Sequence, residues 1–175
     1  MPSAAERRLF LGVAAAVALA DLVAKLLAVA WLRASPGVAV VGEWVQLRLV
    51  FNPGAAFGVS VGSWSRVGFS LIAIGAIWFL ARVSRRADPG DRLRQLACGL
   101  VAGGAAGNLI DRLRSTQGVV DFLDVGVGPH RWPTFNVADI GVTTGALVLA
   151  WSLWDEDRRA ALAEAVATPE RGAVS

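Results

Sequence analysis

The sequence contains few of the residues that most often carry covalent or metal-dependent catalysis. Its 175 residues include one cysteine, Cys98, and one histidine, His130. A single cysteine excludes an internal disulfide framework, and one histidine with one cysteine does not supply a familiar zinc site. The chain also lacks a Gly-x-Ser-x-Gly motif and a glycine-rich phosphate loop. We therefore expect no metal and no cofactor, and the remaining candidates for catalysis are carboxylates.

Charged residues are scarce as well. They make up 18% of the chain, and hydrophobic residues make up 55%. Ordinary soluble domains contain about 25% charged residues and about 45–50% apolar residues. This composition argues against a water-soluble protein, and the plentiful apolar residues argue against disorder. The length suits a single domain over residues 1–175. Because a membrane helix needs about 20 apolar residues, we expect an integral membrane protein with about four spans.

Four apolar segments are long enough to cross a membrane, at about 9–32, 64–81, 93–110 and 137–154. They predict an all-α membrane protein with four transmembrane helices. The first segment also fits a signal peptide, because Arg7 and Arg8 precede it and residues 18–20 resemble a cleavage site. The apolar pattern resumes after Asp21 and reaches Trp31, which favours a span. Residues 155–175 form a charged tail, for which we expect a short helix or disorder.

The basic residues predict the orientation of the helices. All of them are arginine except Lys25. Ten arginines lie on the side of the two termini and of the connection between the second and third segments, and six lie on the side of the other two connections. Because short basic loops stay in the cytoplasm, we expect both termini and the tail inside and the two long connections outside. The arginines form no stripe with interleaved aromatic residues, so we expect no nucleic-acid partner.

The first long connection has a pattern of its own. Apolar and polar residues alternate over 43–50, which is typical of a strand with one apolar face. Asn52, Pro53 and Gly54 then predict a turn. We expect a small extracytoplasmic β-sheet that lies on the headgroups or covers a cleft, and the other long connection is predicted as a second extracytoplasmic loop.

Asp21 and Lys25 are charges inside the first apolar segment. A charge near the membrane centre costs about 2.5–3.5 kcal/mol on insertion scales, so each needs a reason to be there. The two residues are four positions apart with the acid first, which is the favourable order for pairing on one helix face. They are interpreted either as a structural ion pair facing the bundle interior or as a pair that supports a site.

The third segment combines a small-residue face with a polar end. Residues 103–107 are glycine and alanine only, which lets another helix approach closely. Asn108, Asp111 and Arg112 follow at spacings that place them on one side of the helix end. Asp111 is expected to be ionised and paired with Arg112, which suits a supporting scaffold or a capping network better than proton transfer.

Asp121 and Asp139 differ from the other acids. Asp121 lies in an apolar stretch, with Asp124 three residues on, and Asp139 lies near the outward start of the fourth segment. Neither has a basic neighbour in sequence. Low polarity raises a carboxyl pKa, and two close carboxyls can share one proton. Such a pair can activate water and protonate a leaving amine, although interfacial aspartates facing solvent remain an alternative.

These residues resemble the lipoprotein signal peptidases (signal peptidase II), aspartyl proteases of the bacterial inner membrane. The resemblance covers residues 10–155, and the tail lies outside it. It consists of five blocks in order: Asp21-x-x-x-Lys25, Asn52-Pro53-Gly54-Ala55-Ala56-Phe57, Gly103-Gly104-Ala105-Ala106-Gly107-Asn108-Leu109-Ile110-Asp111-Arg112, Val119-Val120-Asp121-Phe122, and Phe135-Asn136-Val137-Ala138-Asp139.

The resemblance implies a reaction and a set of site residues. Enzymes of this family remove the signal peptide of a prolipoprotein, cutting before a cysteine that already carries diacylglyceryl. The family's catalytic dyad corresponds to Asp121 and Asp139, and its outward β-cradle corresponds to the strand at 43–50. Its supporting and substrate-binding positions correspond to Asn52, Gly54, Asn108, Asp111, Arg112 and Asn136, together with Asp21 and Lys25.

The resemblance also implies a setting. We expect a multi-pass protein of the bacterial inner membrane, surrounded by membrane lipid, with its active site near the outer face. Its expected partners are a diacylglyceryl-modified prolipoprotein and globomycin-type inhibitors, and we expect a monomer. Two other classes remain open. A transporter or channel subunit would use Asp21, Lys25 and Asp139 as a polar pathway, and a membrane scaffold would assemble through the glycine-rich helix.

Overall fold

The computed structural model describes residues 1–53 and 64–167. Four long helices hold most of these residues, and short strands lie in the two long connections. The helices are α1 (Ala4–Leu32), α2 (Ser65–Arg86), α3 (Arg92–Arg114) and α4 (Val137–Ala167), and the strands are β1 (Val38–Val41), β2 (Val45–Asn52), β3 (Val119–Val127) and β4 (His130–Arg131).

All four predicted apolar segments are helical, but they differ in how apolar they are. Within the described residues, three helices are long and apolar enough to cross a membrane: Ala4–Leu32, Ser65–Arg86 and Val137–Ala163. α3 lies at the predicted third span, yet its glycines and polar ends make it the least apolar of the four. Composition therefore confirms three of the four predicted spans.

Each of the four helices extends beyond at least one of its predicted boundaries, as α1 and α4 illustrate. α1 begins at Ala4, five residues before the predicted boundary at 9, because Ser3 and Glu6 form a capping box. The Glu6 carboxylate accepts the Ser3 N–H at 2.6 Å, and the Ser3 hydroxyl accepts the Glu6 N–H at 3.3 Å. α4 continues past 154 to Ala167, so the described part of the predicted tail extends the fourth helix.

α3 is the centre of the helix bundle, and the other three helices pack mainly against it. Its small residues permit this, as the sequence predicts. A Cβ added at Gly103 would lie 2.6 Å from the carbonyl oxygen of Ala14 in α1, and one added at Gly104 would collide with the carbonyl of Ala138 in α4. The least apolar helix is therefore also the one that is most enclosed by its neighbours.

The strands form one antiparallel sheet in the order β1-β2-β3-β4. β2 confirms the strand predicted at 43–50 with a shift of two residues, since it runs from Val45 to Asn52. The second long connection is more ordered than a loop, because its apolar run from Val119 forms β3 and pairs with β2. This pairing places Val50 opposite Asp121, and it brings the two long connections into one sheet.

Candidate active site

Polar residues gather at the end of the bundle where α1 and α3 end, α4 begins and the sheet is attached. Lys25, Asp21 and Asn136 have no exposed surface, and Asp111 and Asp121 are 1% and 4% exposed. Buried polar groups of this kind are stable only when they are hydrogen-bonded or paired. The sequence-predicted site residues that the structure describes all contribute to this cluster, and their contacts show how they are connected.

Asp121 lies on β3 and is held by two amide donors. Its Oδ1 accepts a hydrogen bond from Asn136 Nδ2 at 2.7 Å, and its Oδ2 accepts one from Asn52 Nδ2 at 3.2 Å. Asn52 is the last residue of β2 and pairs with Val119, two residues before Asp121, so both side chains lie on the same face of the sheet. Burial, and then the charge of Asp139, raise the pKa of Asp121 to about 6 from an ordinary value of 3.8.

Asp139 lies in the first turn of α4 and is tied to Asn136 in both directions. Asp139 Oδ2 accepts the backbone N–H of Asn136 at 3.1 Å, and Asn136 Oδ1 accepts the backbone N–H of Asp139 at 3.0 Å. This reciprocal pair caps the helix, because it satisfies N–H groups that have no partner within the helix. The other oxygen of Asp139, Oδ1, accepts from Asn108 Nδ2 at 2.9 Å.

Asn136 therefore connects the two candidate catalytic carboxylates. Its oxygen caps the helix that carries Asp139, and its amide nitrogen donates to Asp121. The same nitrogen also lies 3.1 Å from Asn108 Oδ1. The sequence singled out Asn136 only as a polar residue near Asp139, and its contact with Asp121 depends on β3 lying beside the start of α4.

An open cavity of about 340 Å³ adjoins Asp139. Asp139 is half-buried and contributes the only charged side chain among the residues that line it, all of which are described. Aromatic and aliphatic side chains form most of the remaining wall, so the cavity suits an apolar segment of a ligand beside a carboxylate. The lining residues are Trp132, Phe135, Asp139, Ile140, Thr143 and Thr144.

Lys25 connects the acids at the base of the cluster. Its ammonium nitrogen lies 2.6 Å from Asp21 Oδ2, 3.0 Å from Asp111 Oδ2 and 2.8 Å from Asn108 Oδ1. The predicted Asp21–Lys25 ion pair is therefore confirmed, and it is part of a larger network. Because Asn108 accepts from Lys25 and donates to Asp139, a continuous hydrogen-bonded chain leads from the ammonium to one of the candidate catalytic carboxylates.

The two carboxylates beside Lys25 also hold the backbone of the elements that carry the candidate dyad. Asp21 Oδ1 accepts the N–H of Ala138 at 2.8 Å, and Asp111 Oδ2 accepts the N–H of Val120 at 3.1 Å. Ala138 directly precedes Asp139, and Val120 directly precedes Asp121. The network around Lys25 thus fixes the positions of α4 and β3 relative to each other.

The predicted ion pair between Asp111 and Arg112 is wrong. Asp111 pairs with Lys25 and, through Oδ1, with Arg114 at 2.7 Å. Consecutive residues of a helix point in different directions, whereas residues three apart share a face. The spacing of three between Asp111 and Arg114 therefore favours an ion pair, and the spacing of one between Asp111 and Arg112 does not. The Arg112 guanidinium lies over the ring of Phe69 at 5.4 Å and donates to the Asn108 carbonyl at 3.2 Å.

Arg112 and Lys25 supply positive charge near the candidate dyad, although neither is a neighbour of Asp121 or Asp139 in sequence. The charge of Arg112 acts on Asp139 and Asp121, and that of Lys25 acts on Asp121. Asp124, the other acid of β3, pairs instead with Arg131 at 2.9 Å. The predicted site residue Gly54 lies outside the described residues. Within the described part of the chain, no three His, Cys, Asp or Glu side chains are grouped as metal ligands.

Comparison with known proteins relates this sequence to signal peptidases. A family model, Peptidase_A8, described as Signal peptidase (SPase) II, matches residues 13–155. A lipoprotein signal peptidase of Rhodococcus jostii (strain RHA1) is 43% identical over 159 residues, which cover 85% of this chain and 74% of that relative. One of Syntrophotalea carbinolica is 40% identical over 156 residues, which cover 89% of this chain and 96% of the relative.

Two solved structures share the fold, and each is described as a bacterial membrane enzyme. One has a TM-score of 0.76 and 25% sequence identity, and the match covers 95% of this chain and 94% of the other. The second has a TM-score of 0.72 and 28% sequence identity, and the match covers 82% of this chain and 91% of the other. Together with the three long apolar helices, these neighbours indicate a membrane protein.

Proposed function

Because the chain belongs to the signal peptidase II family, we propose that it is an aspartic endopeptidase that removes the signal peptide from prolipoproteins. In this proposal the cut falls before the diacylglyceryl-modified cysteine, and Asp121 and Asp139 are the catalytic pair. The observation that carries the proposal is the position of Asn136, which is hydrogen-bonded to both carboxylates, one of which, Asp139, lines an open cavity.

The proposed reaction is hydrolysis by a water molecule held between the two carboxyl groups. One carboxylate takes a proton from the water, whose oxygen attacks the scissile carbonyl carbon, while the other carboxyl donates a hydrogen bond to the carbonyl oxygen. The tetrahedral intermediate then collapses as a carboxyl proton passes to the leaving amine. A raised pKa of Asp121, at about 6, supports the sharing of one proton by the pair.

Neighbouring groups support the same reaction. The side-chain amides of Asn52 and Asn136 donate to Asp121, and a substrate that displaces one of these contacts would present its developing oxyanion to an amide donor. Asn108, held by Lys25, fixes the orientation of Asp139. Asp111 and Asp21 act indirectly. Each accepts a hydrogen bond from the backbone N–H of the residue just before one of the two catalytic aspartates.

The proposal includes a placement in the membrane. We propose that α3 also crosses the membrane, which brings the number of spans to four. The other helices enclose it, and its polar residues lie at its ends and against Lys25. The arginine distribution supports cytoplasmic termini and an active site near the outer face of the inner membrane. The acyl chains of the substrate would stay in lipid while the four-stranded sheet covers the peptide.

The test is cleavage of a purified diacylated prolipoprotein by the full chain, with and without the cyclic peptide globomycin. Asp121→Asn and Asp139→Asn are each expected to lower the rate by about 10³-fold, because each removes a proton-transfer group. Asp124→Asn is the matched control, since it changes an acid on the same strand that pairs with Arg131 outside the cluster. Full cleavage by either dyad variant, with the fold intact, would refute the assignment.

A further inference from the structure

A basic cavity lies between α1 and α2 at the end of the bundle opposite the aspartates. Its volume is about 500 Å³. Arg7 on its wall and Asp21 in the aspartate cluster are 14 positions apart on the same helix, which corresponds to about 21 Å along the axis. The cavity is therefore separate from the candidate active site. It is lined by Met1, Pro2, Arg7, Trp78, Arg82, Arg85 and Arg86.

In the part of the chain that the structure describes, no acid neutralises the positive charge of this cavity. Among the described residues, no carboxylate lines the cavity, and none forms an ion pair with its four arginines. Glu6 is adjacent to Arg7 in sequence, but its carboxylate accepts the N–H groups of Ser3 and Gly90. The four guanidinium groups therefore share a space that favours an anion.

Two of the arginines are held in place. The Arg82 guanidinium lies 4.8 Å from the centre of the Trp78 ring, and Arg7 Nη1 donates to the Pro2 carbonyl at 2.7 Å. A guanidinium that is already oriented loses less freedom when it binds an oxyanion, and its planar fork matches the oxygens of a phosphate. Trp78 is 61% exposed, as is common for tryptophan at the membrane interface.

A smaller apolar cleft continues from the basic cavity along the two helices. It has a volume of about 150 Å³ and shares Arg7 and Arg85 with the cavity. α1 and α2 both pack mainly against α3 and touch each other little, which leaves the cleft open between them. The remaining residues of its wall are Phe10, Leu11, Ala81 and Ser84.

We propose that the cavity and the cleft together bind one anionic phospholipid. The phosphate lies among Arg7, Arg82 and Arg85, and the glycerol and the start of an acyl chain lie along Phe10 and Leu11. Basic pockets between membrane helices are suited to anionic headgroups. Inorganic phosphate would satisfy the arginines but leave the apolar cleft unused, whereas a lipid fills both parts.

The first experiment compares a lipid with a free anion. The full chain, purified in detergent, is titrated with phosphatidylglycerol, with phosphatidylcholine or with inorganic phosphate, and retained lipid is counted by native mass spectrometry while the melting temperature is recorded. Phosphatidylglycerol is expected to be retained in a one-to-one complex and to raise the melting temperature. Equal retention of phosphatidylcholine, or an equal rise with inorganic phosphate, would overturn the proposal.

Charge variants test the location. Arg82→Gln and Arg85→Gln are each expected to weaken phosphatidylglycerol binding by about fivefold, from the contribution of one basic residue near a lipid headgroup. Arg158→Gln is the matched control, because Arg158 also lies over a tryptophan, Trp154, at 5.8 Å but lines neither space. If the control weakens binding as much as the cavity variants, the attraction is non-specific and the site is refuted.

A neutral variant tests the cleft while every arginine is retained. Leu11→Trp is expected to fill the cleft and abolish one-to-one retention of phosphatidylglycerol. Leu19→Trp is its control, because Leu11 and Leu19 lie on the same helix and both are 62% exposed, but Leu19 is outside the cleft. Unchanged binding by Leu11→Trp would contradict the proposal. The site does not depend on the proposed cleavage, so Asp121→Asn is expected to bind the lipid normally.

Discussion

Lys25 explains, at the scale of single residues, why this protein keeps charge in its interior. The side chain has no exposed surface, and its ammonium group contacts the carboxylates of Asp21 and Asp111. Each carboxylate also holds a backbone N–H just before one of the two candidate catalytic aspartates. One lysine thus neutralises two acids that position separate parts of the site.

Removal of this lysine is expected to destabilise the protein strongly. Lys25→Met leaves two buried carboxylates without their shared cation, and we expect a loss of about 3–5 kcal/mol. Arg114→Gln is the control, because Arg114 pairs with the same Asp111 but is 37% exposed; a loss below about 1 kcal/mol is expected there. Thermal unfolding in detergent measures both. Equal losses in the two variants would contradict the central role of Lys25.

Asp121 gives a second residue-scale prediction, in the pH dependence of stability. Because its pKa is raised from 3.8 to about 6, the folded protein binds this proton more tightly than the unfolded chain does. The resulting stability is fully present below pH 4 and is lost as the pH rises through 6, by up to about 3 kcal/mol.

Asp121→Asn removes this titration, because an amide cannot ionise. Relative to the unaltered protein, the variant is expected to gain stability between pH 4 and pH 7, and its melting temperature in detergent measures the change. A difference in melting temperature that stays constant over this range would show that Asp121 does not titrate as described.

At the scale of elements, α3 determines how closely the helices pack. Its buried face consists largely of small residues, so α1 and α4 approach its backbone rather than its side chains. Close contact of this kind favours association of helices in a membrane, where lipid tails are as apolar as leucine side chains. The same approach brings Asn108 of α3 to Lys25 of α1 and to Asp139 of α4.

Two glycines provide a matched test of this packing. Gly103→Ala places a Cβ 2.6 Å from the carbonyl oxygen of Ala14, which forces α1 and α3 apart, and we expect a loss of about 1–3 kcal/mol and of peptidase activity. Gly75→Ala in α2 meets nothing within 4 Å, so its helix is expected to be unchanged or slightly more stable. If Gly103→Ala were as stable and active as Gly75→Ala, close packing at Gly103 would not be required.

At the scale of the whole molecule, the two ends of the bundle differ in chemistry. The candidate dyad and the sheet lie at one end, and the arginine-lined cavity lies at the other. This asymmetry agrees with the proposed orientation, because arginines collect on the cytoplasmic side of membrane proteins. A peptidase with this orientation would meet its substrate after the signal peptide has inserted.

Cysteine labelling tests the orientation. In a Cys98→Ala background, Val127→Cys introduces a thiol in the sheet, where Val127 is 64% exposed, and Arg158→Cys introduces one at the other end of the bundle, on exposed α4. A membrane-impermeant maleimide added to intact cells is expected to label the first position only. After lysis both are expected to react. Labelling of Arg158→Cys alone in intact cells would mean that the protein is inverted.

The sequence alone was sufficient for features that depend on local composition. The three long apolar helices, the strand β2 and the Asp21–Lys25 pair follow from hydropathy, alternation and a spacing of four, all of which are short-range properties of the chain. The five blocks of the family resemblance also lie in sequence, and the matching family model confirms the family that they imply. Which helix would be central was not evident, because burial of α3 comes from its neighbours.

Only the tertiary structure decided which polar groups meet. Asp111 is sequence-adjacent to Arg112 but pairs with Lys25, 86 residues earlier, because helix geometry turns consecutive side chains apart and packing brings distant ones together. Asn136 reaches Asp121 because the residue before it, Phe135, pairs with Leu123 of β3. The free energy of a buried polar group depends on the partners that surround it in space, and sequence spacing does not specify those partners beyond one helical turn or one strand.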